Sequence, residues 1–406
     1  MEPLLYLTHR IPFPPNKGDK LRSFHLLRHL SKRYRVHLGT FIDDPADAGH
    51  VPALASYCAS WHVASIQPRL ARLRSLQGLF TGEALTLRYY RDDDLNRWVR
   101  RVVREEGIRS AVVFSSAMAQ YVDASLGLRV IVDFVDVDSA KWDQYARMHR
   151  WPLSHVYDRE GSRLLAFERA VANAAHASVF VTRNEADLFR RLAPECAERV
   201  YHAGNGVDTT YFDPGLDVPD PYPPGEEPLV YTGAMDYWPN VDAVCWFATD
   251  VLPAIVASRP RARFYVVGMN PAPAVQALAR DARIVVTGRV ADVRPYVRHA
   301  CAIVAPLRVS RGIQNKVLEA MAMARPVVVS QQAAAGLSGT ASLHYEVAAD
   351  AHDFAQRTLA VMDPSVGQRL GEAARHHIRA QYDWDANLAL FDQLLADDAF
   401  VPRAAG

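Results

Sequence analysis

Short apolar runs alternate with helix-length amphipathic stretches along most of the chain. In the first half the runs are LLYLTH from Leu4, RVHLGTF from Arg35, SAVVFSS from Ser110, RVIVDFV from Arg129 and ASVFVT from Ala177. In the second half they are LVYTG from Leu229, RFYVVG from Arg263, RIVVTG from Arg283, CAIVAP from Cys301 and RPVVVS from Arg325. Continuous apolar strands separated by helices are the signature of βαβ units, so the pattern predicts an α/β protein with two doubly wound parallel sheets. A chain of 406 residues also exceeds what one core usually supports. Between the halves, DPGLDVPDPYPPGEEP (Asp213 to Pro228) is too rich in Pro, Gly and acids to continue a helix or central strand. It reads as a linker or domain-edge loop, with the boundary near residues 200 to 225. The expected division is 1–205, 206–385 and a C-terminal helix and tail, 386–406. In that tail Leu388, Phe391 and Leu395 recur at helical spacing, and the helix either finishes the second domain or crosses back to the first.

Composition narrows the function little. Half the residues are hydrophobic, 22% are charged and the net charge is +1, so no global field draws the chain to nucleic acid. Cys58, Cys196, Cys245 and Cys301 are scattered, without CxxC or His spacing, which argues against a zinc site or a disulfide framework and fits a reducing cytoplasm. The N-terminus lacks the basic start and apolar core of a signal, and no run approaches ~20 apolar residues, so neither export nor a membrane span is expected. One segment departs from neutrality: Arg69 to Arg109 holds ten Arg against six acids. Within it, DDDLNRWVRRVVREE sets Leu95, Trp98, Val99, Val102 and Val103 on one face and Arg97, Arg100, Arg101 and Arg104 on the other. That face is either a solvated basic surface or a docking face for anionic lipid heads or a charged acceptor.

Ligands of open α/β sheets bind at the carboxyl ends of strands, where three loops stand out. THRIPFPPNKGDKLRSF places Lys17, Gly18, Asp19 and Lys20 at a helix start, where free N–H groups favour an anion, although a capped surface turn reads equally well. In YHAGNGVDTTYFDP, Asn205 and Gly206 are suited to positive φ in a tight turn after a short strand. The third, RVSRGIQNKVLEAMAMARPVVVS from Arg308, combines Gly312, the unpaired amides of a helix start and Lys316 in its first turn. Asn315 and Glu319 share one helical face while Val317, Leu318 and Met321 point inward. A cation and free amides for a diphosphate, with a carboxylate for two sugar hydroxyls, make a nucleotide site; a solvated Glu and Lys on a surface helix is the plain alternative.

Taken together, HAGNGVDTTYFDP, GIQNKVLEAMAMARPVVV, VTGRVADVRPYVRHACAIVAPLRVSRG and the N-terminal HRIPFPPNKGDKLRSFHLLRHLSKRYRVHL resemble the GT-B glycosyltransferases of the large retaining family 4. The N-terminal block and YTGAMDYWPNVDAVCWF are similar to the sugar transferases associated with PEP-CTERM/exosortase and exopolysaccharide systems. The resemblance implies two Rossmann-like domains facing across a cleft, residues 1–205 holding the acceptor and 206–385 the nucleotide sugar, with hinge closure excluding water. It implies donor contacts from Gly18, Lys20, Asn205, Gly206, Gly233, Arg289, Val290, Arg311, Gly312, Ile313, Gln314, Asn315, Lys316 and Glu319. Glu319 matches the second carboxylate of the family's Glu-x7-Glu motif, which grips the donor ribose. Arg311 stands where the first Glu would be and could meet an acidic sugar, the diphosphate or a neighbouring acid.

Two further departures matter. GAMDYWPN carries none of the cations that many relatives place after the first strand of the second domain, leaving Lys316, Arg311, Lys17, Lys20 or Arg22 to compensate. VDFVDVDSAKW has Asp136 or Asp138 where many relatives carry a His; either is an acceptor-orienting base or a helix cap. The implied reaction moves a glycosyl group from a nucleotide-diphosphate sugar to a glycan or lipid-linked glycan, with retention and no metal. Asp136, Lys316 and Glu319 are its catalytic candidates, and an anionic membrane surface at the cytoplasmic face of the inner membrane is a further partner. A nucleotide-sugar epimerase and a non-catalytic glycan- or partner-binding protein are the competing readings. A dinucleotide oxidoreductase is disfavoured, since neither sheet opens with GxGxxG followed by an acid.

Overall fold

The structure, a computed structural model, describes residues 1–15, 18–310 and 312–396. The chain divides into two compact units: Met1–Gly204 together with the chain from Leu388, and Asn205–Asn387. The last helix, Trp384–Ala396, thus passes from the second unit into the first. There His29 Nε2 lies 3.1 Å from Asp392 Oδ2 and Arg129 donates to the Leu395 carbonyl at 2.9 Å.

The first unit is a seven-stranded parallel sheet of β1 (Glu2–Thr8), β2 (Tyr34–Ile42), β3 (Ser60–Ser65), β4 (Ser110–Phe114), β5 (Arg129–Val135), β6 (Ala177–Phe180) and β7 (Val200–His202), in the order β3-β2-β1-β4-β5-β6-β7. Leu4, Leu5, Tyr6 and Leu7 are all fully buried, because helices cover both faces of a parallel sheet and leave no side for alternation. The second unit is a six-stranded parallel sheet of β8 (Glu227–Thr232), β9 (Ala262–Val267), β10 (Ile284–Gly288), β11 (Ala302–Ala305), β12 (Val327–Ser330) and β13 (Glu346–Ala348), ordered β10-β9-β8-β11-β12-β13. Strand order reverses between β1 and β4 and again between β8 and β11, which gives each unit one switch point where loops diverge and a ligand can enter.

All ten expected apolar runs form strands; β3 and β13, short edge strands, were not expected. The Pro-rich stretch Asp213 to Pro228 lies within the second unit as an edge loop rather than a linker, held by Tyr222 Oη donating to the Tyr296 carbonyl at 2.6 Å. The basic helix Asp93–Glu106 is capped by Asp92, whose carboxylate accepts from Leu95 N, and it buries Leu95, Trp98, Val99, Val102 and Val103 in the core. Its outward arginines pair with nearby acids, Arg97 with Asp94, Arg100 with Asp123 and Arg101 with Glu105, as a solvated basic face does. One helix among the described residues, Trp238–Ser258, is long and apolar enough to span a bilayer. It packs Val244, Phe247, Val251, Leu252 and Ile255 into the core of the second unit.

Candidate active site

The second unit's switch point gathers most of the expected donor residues. β8 ends at Thr232 and turns at Gly233, where a Cβ would lie 2.9 Å from Asn240 Nδ2 and 3.1 Å from Lys316 Nζ. A Cβ on Gly268, at the end of β9, would meet the Gly233 carbonyl oxygen at 1.6 Å. These loops touch backbone to backbone, which only glycine permits. Into the space left at Gly233 comes the amine of Lys316, from the first turn of the helix Asn315–Ala322. It donates to Tyr231 Oη at 2.6 Å and to Asn240 Oδ1 at 3.0 Å, and lies 3.9 Å from the Tyr231 ring centroid. Tyr231 Oη donates in turn to Asn240 Oδ1 at 2.5 Å, and Asn240 Nδ2 donates to the Ala234 carbonyl at 2.8 Å. The cation is therefore aimed by neutral dipoles, with no carboxylate among its hydrogen-bond partners.

Enclosure in this setting lowers the Lys316 pKa to about 7, with Glu319 opposing the shift. Enclosure likewise raises the Glu319 carboxyl to about 7, with Lys316 opposing. Glu319 makes no hydrogen bond through its carboxylate among the described residues, and its charge is felt at Tyr211, a half-exposed ring carrying the Arg294 guanidinium 3.9 Å from its centroid. Such a pair is balanced between neutral and ionised forms and is poised for a ligand that would settle it.

The surrounding loops fix the helix start. Gly312 has φ of 61°, and a Cβ on Gly336 would sit 1.8 Å from the Gly312 carbonyl oxygen. Gln314 is extended and its side chain makes no capping bond to the helix start, an end where anions are favoured. Its amide instead donates to Ser310 Oγ at 3.0 Å, while Ile313 packs on the core. Asn205 Nδ2 donates to Asn315 Oδ1 at 3.0 Å, and Asn387 Nδ2 donates to the Asn205 carbonyl at 2.9 Å. Asn205 and Gly206 do not take the positive φ expected of them; Gly206 is required because a Cβ would strike Trp384 Cγ at 2.5 Å. Arg289 is exposed and follows Gly288, its guanidinium 3.5 Å from the sulfur of Met269, next to Gly268; Val290 packs on the core. Arg311 and Lys17 lie outside the described residues.

The cations expected from the first unit are committed elsewhere. Lys20, 1% exposed, pairs with Asp47 at 2.6 Å, and Arg22, 1% exposed, forms a two-pronged pair with Asp133 at 2.8 and 3.3 Å while donating to the Gly204 carbonyl. Neither is available to a diphosphate in this structure, a correction to the sequence reading. Gly18 opens the helix Gly18–Ser31.

Asp136 lies on the loop after β5, and its neighbours pin that loop tightly. Asp133 Oδ1 accepts from Val135 N, Glu185 Oε2 from Val137 N, and Glu168 from Ser139 N and Oγ. Val135 is held at φ of 67°, a left-handed conformation that a β-branched residue adopts only under constraint. Asp136 Oδ1 is buried with no hydrogen-bond partner among the described residues, and burial raises its pKa to about 7. Asp138 pairs with Lys141 at 3.1 Å in the first turn of the following helix. Tyr231 and Asn240, which position Lys316, were missed by sequence reasoning: both are buried, and neither carries a charge to draw notice.

Residues 226–363 match the family model described as Glycosyl transferases group 1. This match lies wholly within the second unit. The whole chain superposes on solved structures at low identity, which establishes the fold. Sucrose-phosphate synthase from Thermosynechococcus elongatus aligns with a TM-score of 0.71 and 16% identity, over 97% of this chain and 98% of that one. Anabaena HepE in complex with UDP-glucose gives 0.69 and 13%, over 98% and 100%. WaaG, a glycosyltransferase involved in lipopolysaccharide biosynthesis, gives 0.64 and 15%, over 97% and 100%. No curated protein sequence matches the chain. The two Rossmann-like sheets are those of the GT-B fold, and the enzyme is a glycosyltransferase.

Proposed function

We propose that this glycosyltransferase moves a sugar from a nucleotide-diphosphate donor to a glycan or lipid-linked glycan, with retention and in exopolysaccharide assembly on the cytoplasmic side of the membrane. The observation that carries the donor half is the Lys316–Glu319 pair at the switch point, beside a helix start without a side-chain cap. A departing diphosphate needs its growing charge met, and Lys316 with the amides of Gly312 to Asn315 would meet it without a metal. Glu319 would accept two hydroxyls of the donor ribose. The neutral cradle of Tyr231 and Asn240 supports this role, because it directs the amine without cancelling its charge. UDP-sugars are the first donors to try, given the HepE complex.

For the acceptor, the unpartnered Oδ1 of Asp136 is the group to receive a hydroxyl proton or hydrogen bond, and its pKa near 7 suits either task at neutral pH. The test is thermal stabilisation by UDP, GDP and ADP and their sugar conjugates, beside Glu319→Ala. A ligand that binds only the folded state raises the midpoint. Stabilisation by one nucleotide, lost in the variant, supports the donor site; none with any nucleotide, in a folded sample, rejects it.

A further inference from the structure

The first unit exposes a second surface that glycosyl transfer does not explain. The helix Pro68–Ser75 and the short helix Gly78–Thr81 turn Ala71, Ser75 and Gly78 inward, at spacings of four and three. The side that normally carries large apolar residues carries small ones, and Leu70, Leu73, Leu76 and Leu79 face out, with Leu73 65% exposed. Arg69, Arg72 and Arg74 stand exposed among them, and no acid occurs from Pro68 to Gly82.

A second segment repeats the pattern. The connection between the helices Asp138–Met148 and Leu153–Ala174 exposes Met148, Trp151 and Leu153, Trp151 at 82%. Arg147 and Arg150 flank them, and no acid occurs from Ala146 to Tyr157. The two segments are joined: Arg159 donates to the carbonyls of Gly78 at 2.6 Å and Glu83 at 3.3 Å, and Glu160 accepts from Leu85 N and Thr86 N. Leu153 stands six positions before Arg159 on the same helix, a rise of about 9 Å, so the apolar tip is one end of the helix that holds the Gly78 segment. Apart from Met1, every exposed large apolar side chain described in this unit lies on these two segments.

We infer that this face seats the enzyme on an anionic lipid bilayer. Leucines and a tryptophan suit the boundary between headgroups and acyl chains, and arginines interleaved with them suit anionic headgroups. A solvated basic face would not carry four outward leucines, and a purely apolar contact would not exclude every acid from both segments. The helix Asp93–Glu106, whose apolar side is buried and whose arginines are mostly paired, does not share this role.

The test is flotation of the full chain with vesicles of phosphatidylcholine alone and of phosphatidylcholine with phosphatidylglycerol, without nucleotide. Binding to the anionic vesicles is expected. Arg69→Gln with Arg72→Gln should weaken it roughly thirtyfold at low salt, about five- to sixfold for each removed surface charge. Leu73→Ser with Trp151→Ala should weaken it at every salt concentration, and both double variants should keep the thermal midpoint. Failure of the folded protein to float with either vesicle overturns the inference, as does binding that both variants leave unchanged. A concentration-dependent dimer abolished by Leu73→Ser would also overturn it, assigning the face to a second copy. Because no donor is present, the outcome is independent of the nucleotide site.

Discussion

Donor affinity should follow a bell-shaped pH profile centred near neutrality. In the free enzyme the Lys316 amine is pulled down to about 7 and the Glu319 carboxyl is pushed up to about 7. A nucleotide sugar carries fixed diphosphate charge across this range, so under the proposed function its binding would require charged Lys316, and its ribose would require ionised Glu319. The lysine is charged below its free-enzyme pKa and loses charge as pH rises through it, so binding weakens on the alkaline side, with proton uptake. The carboxyl is neutral below its own value, so binding weakens on the acid side, with proton release. Each unit beyond the midpoint costs about 1.4 kcal/mol, or about tenfold, so affinity should fall about a hundredfold two units away on either side. Because the two groups are coupled, the limbs belong to the pair, and variants assign them. Lys316→Arg, which keeps its charge, should flatten the alkaline limb, and Glu319→Gln the acid limb, on a lower baseline. Calorimetry in two buffers of different ionisation enthalpy, on each side of neutrality, reads the proton count directly. An affinity that stays flat over these four units, or a proton count of zero on both sides, refutes the reasoning.

Further outcomes follow from other contacts. Arg22→Ala should cost about 3 to 5 kcal/mol in urea unfolding, because it leaves Asp133 buried without its cation. Glu168 is fully buried and held up to about 8 by burial, so the folded state keeps a proton that the unfolded state releases above the ordinary carboxyl range. Stability should therefore fall as pH rises from the ordinary carboxyl value of 4.5 to about 8, by about 1.4 kcal/mol per unit at most, and Glu168→Gln should flatten that slope. Gly336→Ala should destabilise by roughly 1 to 3 kcal/mol and abolish nucleotide stabilisation, since its Cβ would displace the Gly312 carbonyl. Asp136→Asn should lower kcat by about a hundredfold and leave donor-induced stabilisation intact, measured by acceptor-dependent release of nucleotide.

The sheets were legible because parallel strands buried on both faces must be apolar throughout, and such runs stand out in any reading. The edge strands β3 and β13 were not, since SWHVAS and EVA bury too little to show a pattern. At the site, Lys316, Glu319 and the Gly312 turn were visible as a spacing. What holds the lysine was not: Tyr231 reads as another apolar residue of β8 and Asn240 as a polar residue after a proline, and only their meeting in space makes them a cradle. Lys20 and Arg22 misled for the converse reason, because a cation near a glycine turn looks the same in sequence whether it faces a ligand or a buried aspartate. The outward leucines from Leu70 to Leu79 were likewise hidden, as a leucine's periodicity does not tell which side is packed.

The last helix has a consequence for how the protein is made. Leu388, Phe391, Leu394 and Leu395 are buried, and they belong to the unit that begins at Met1. On the ribosome, the first unit must wait for them while all of Asn205–Asn387 is synthesised and can fold as a continuous stretch. The second unit is therefore an insertion within the first. Of the two units, the one that starts earlier is completed later, and until then the surface that Leu388, Phe391, Leu394 and Leu395 cover stays open.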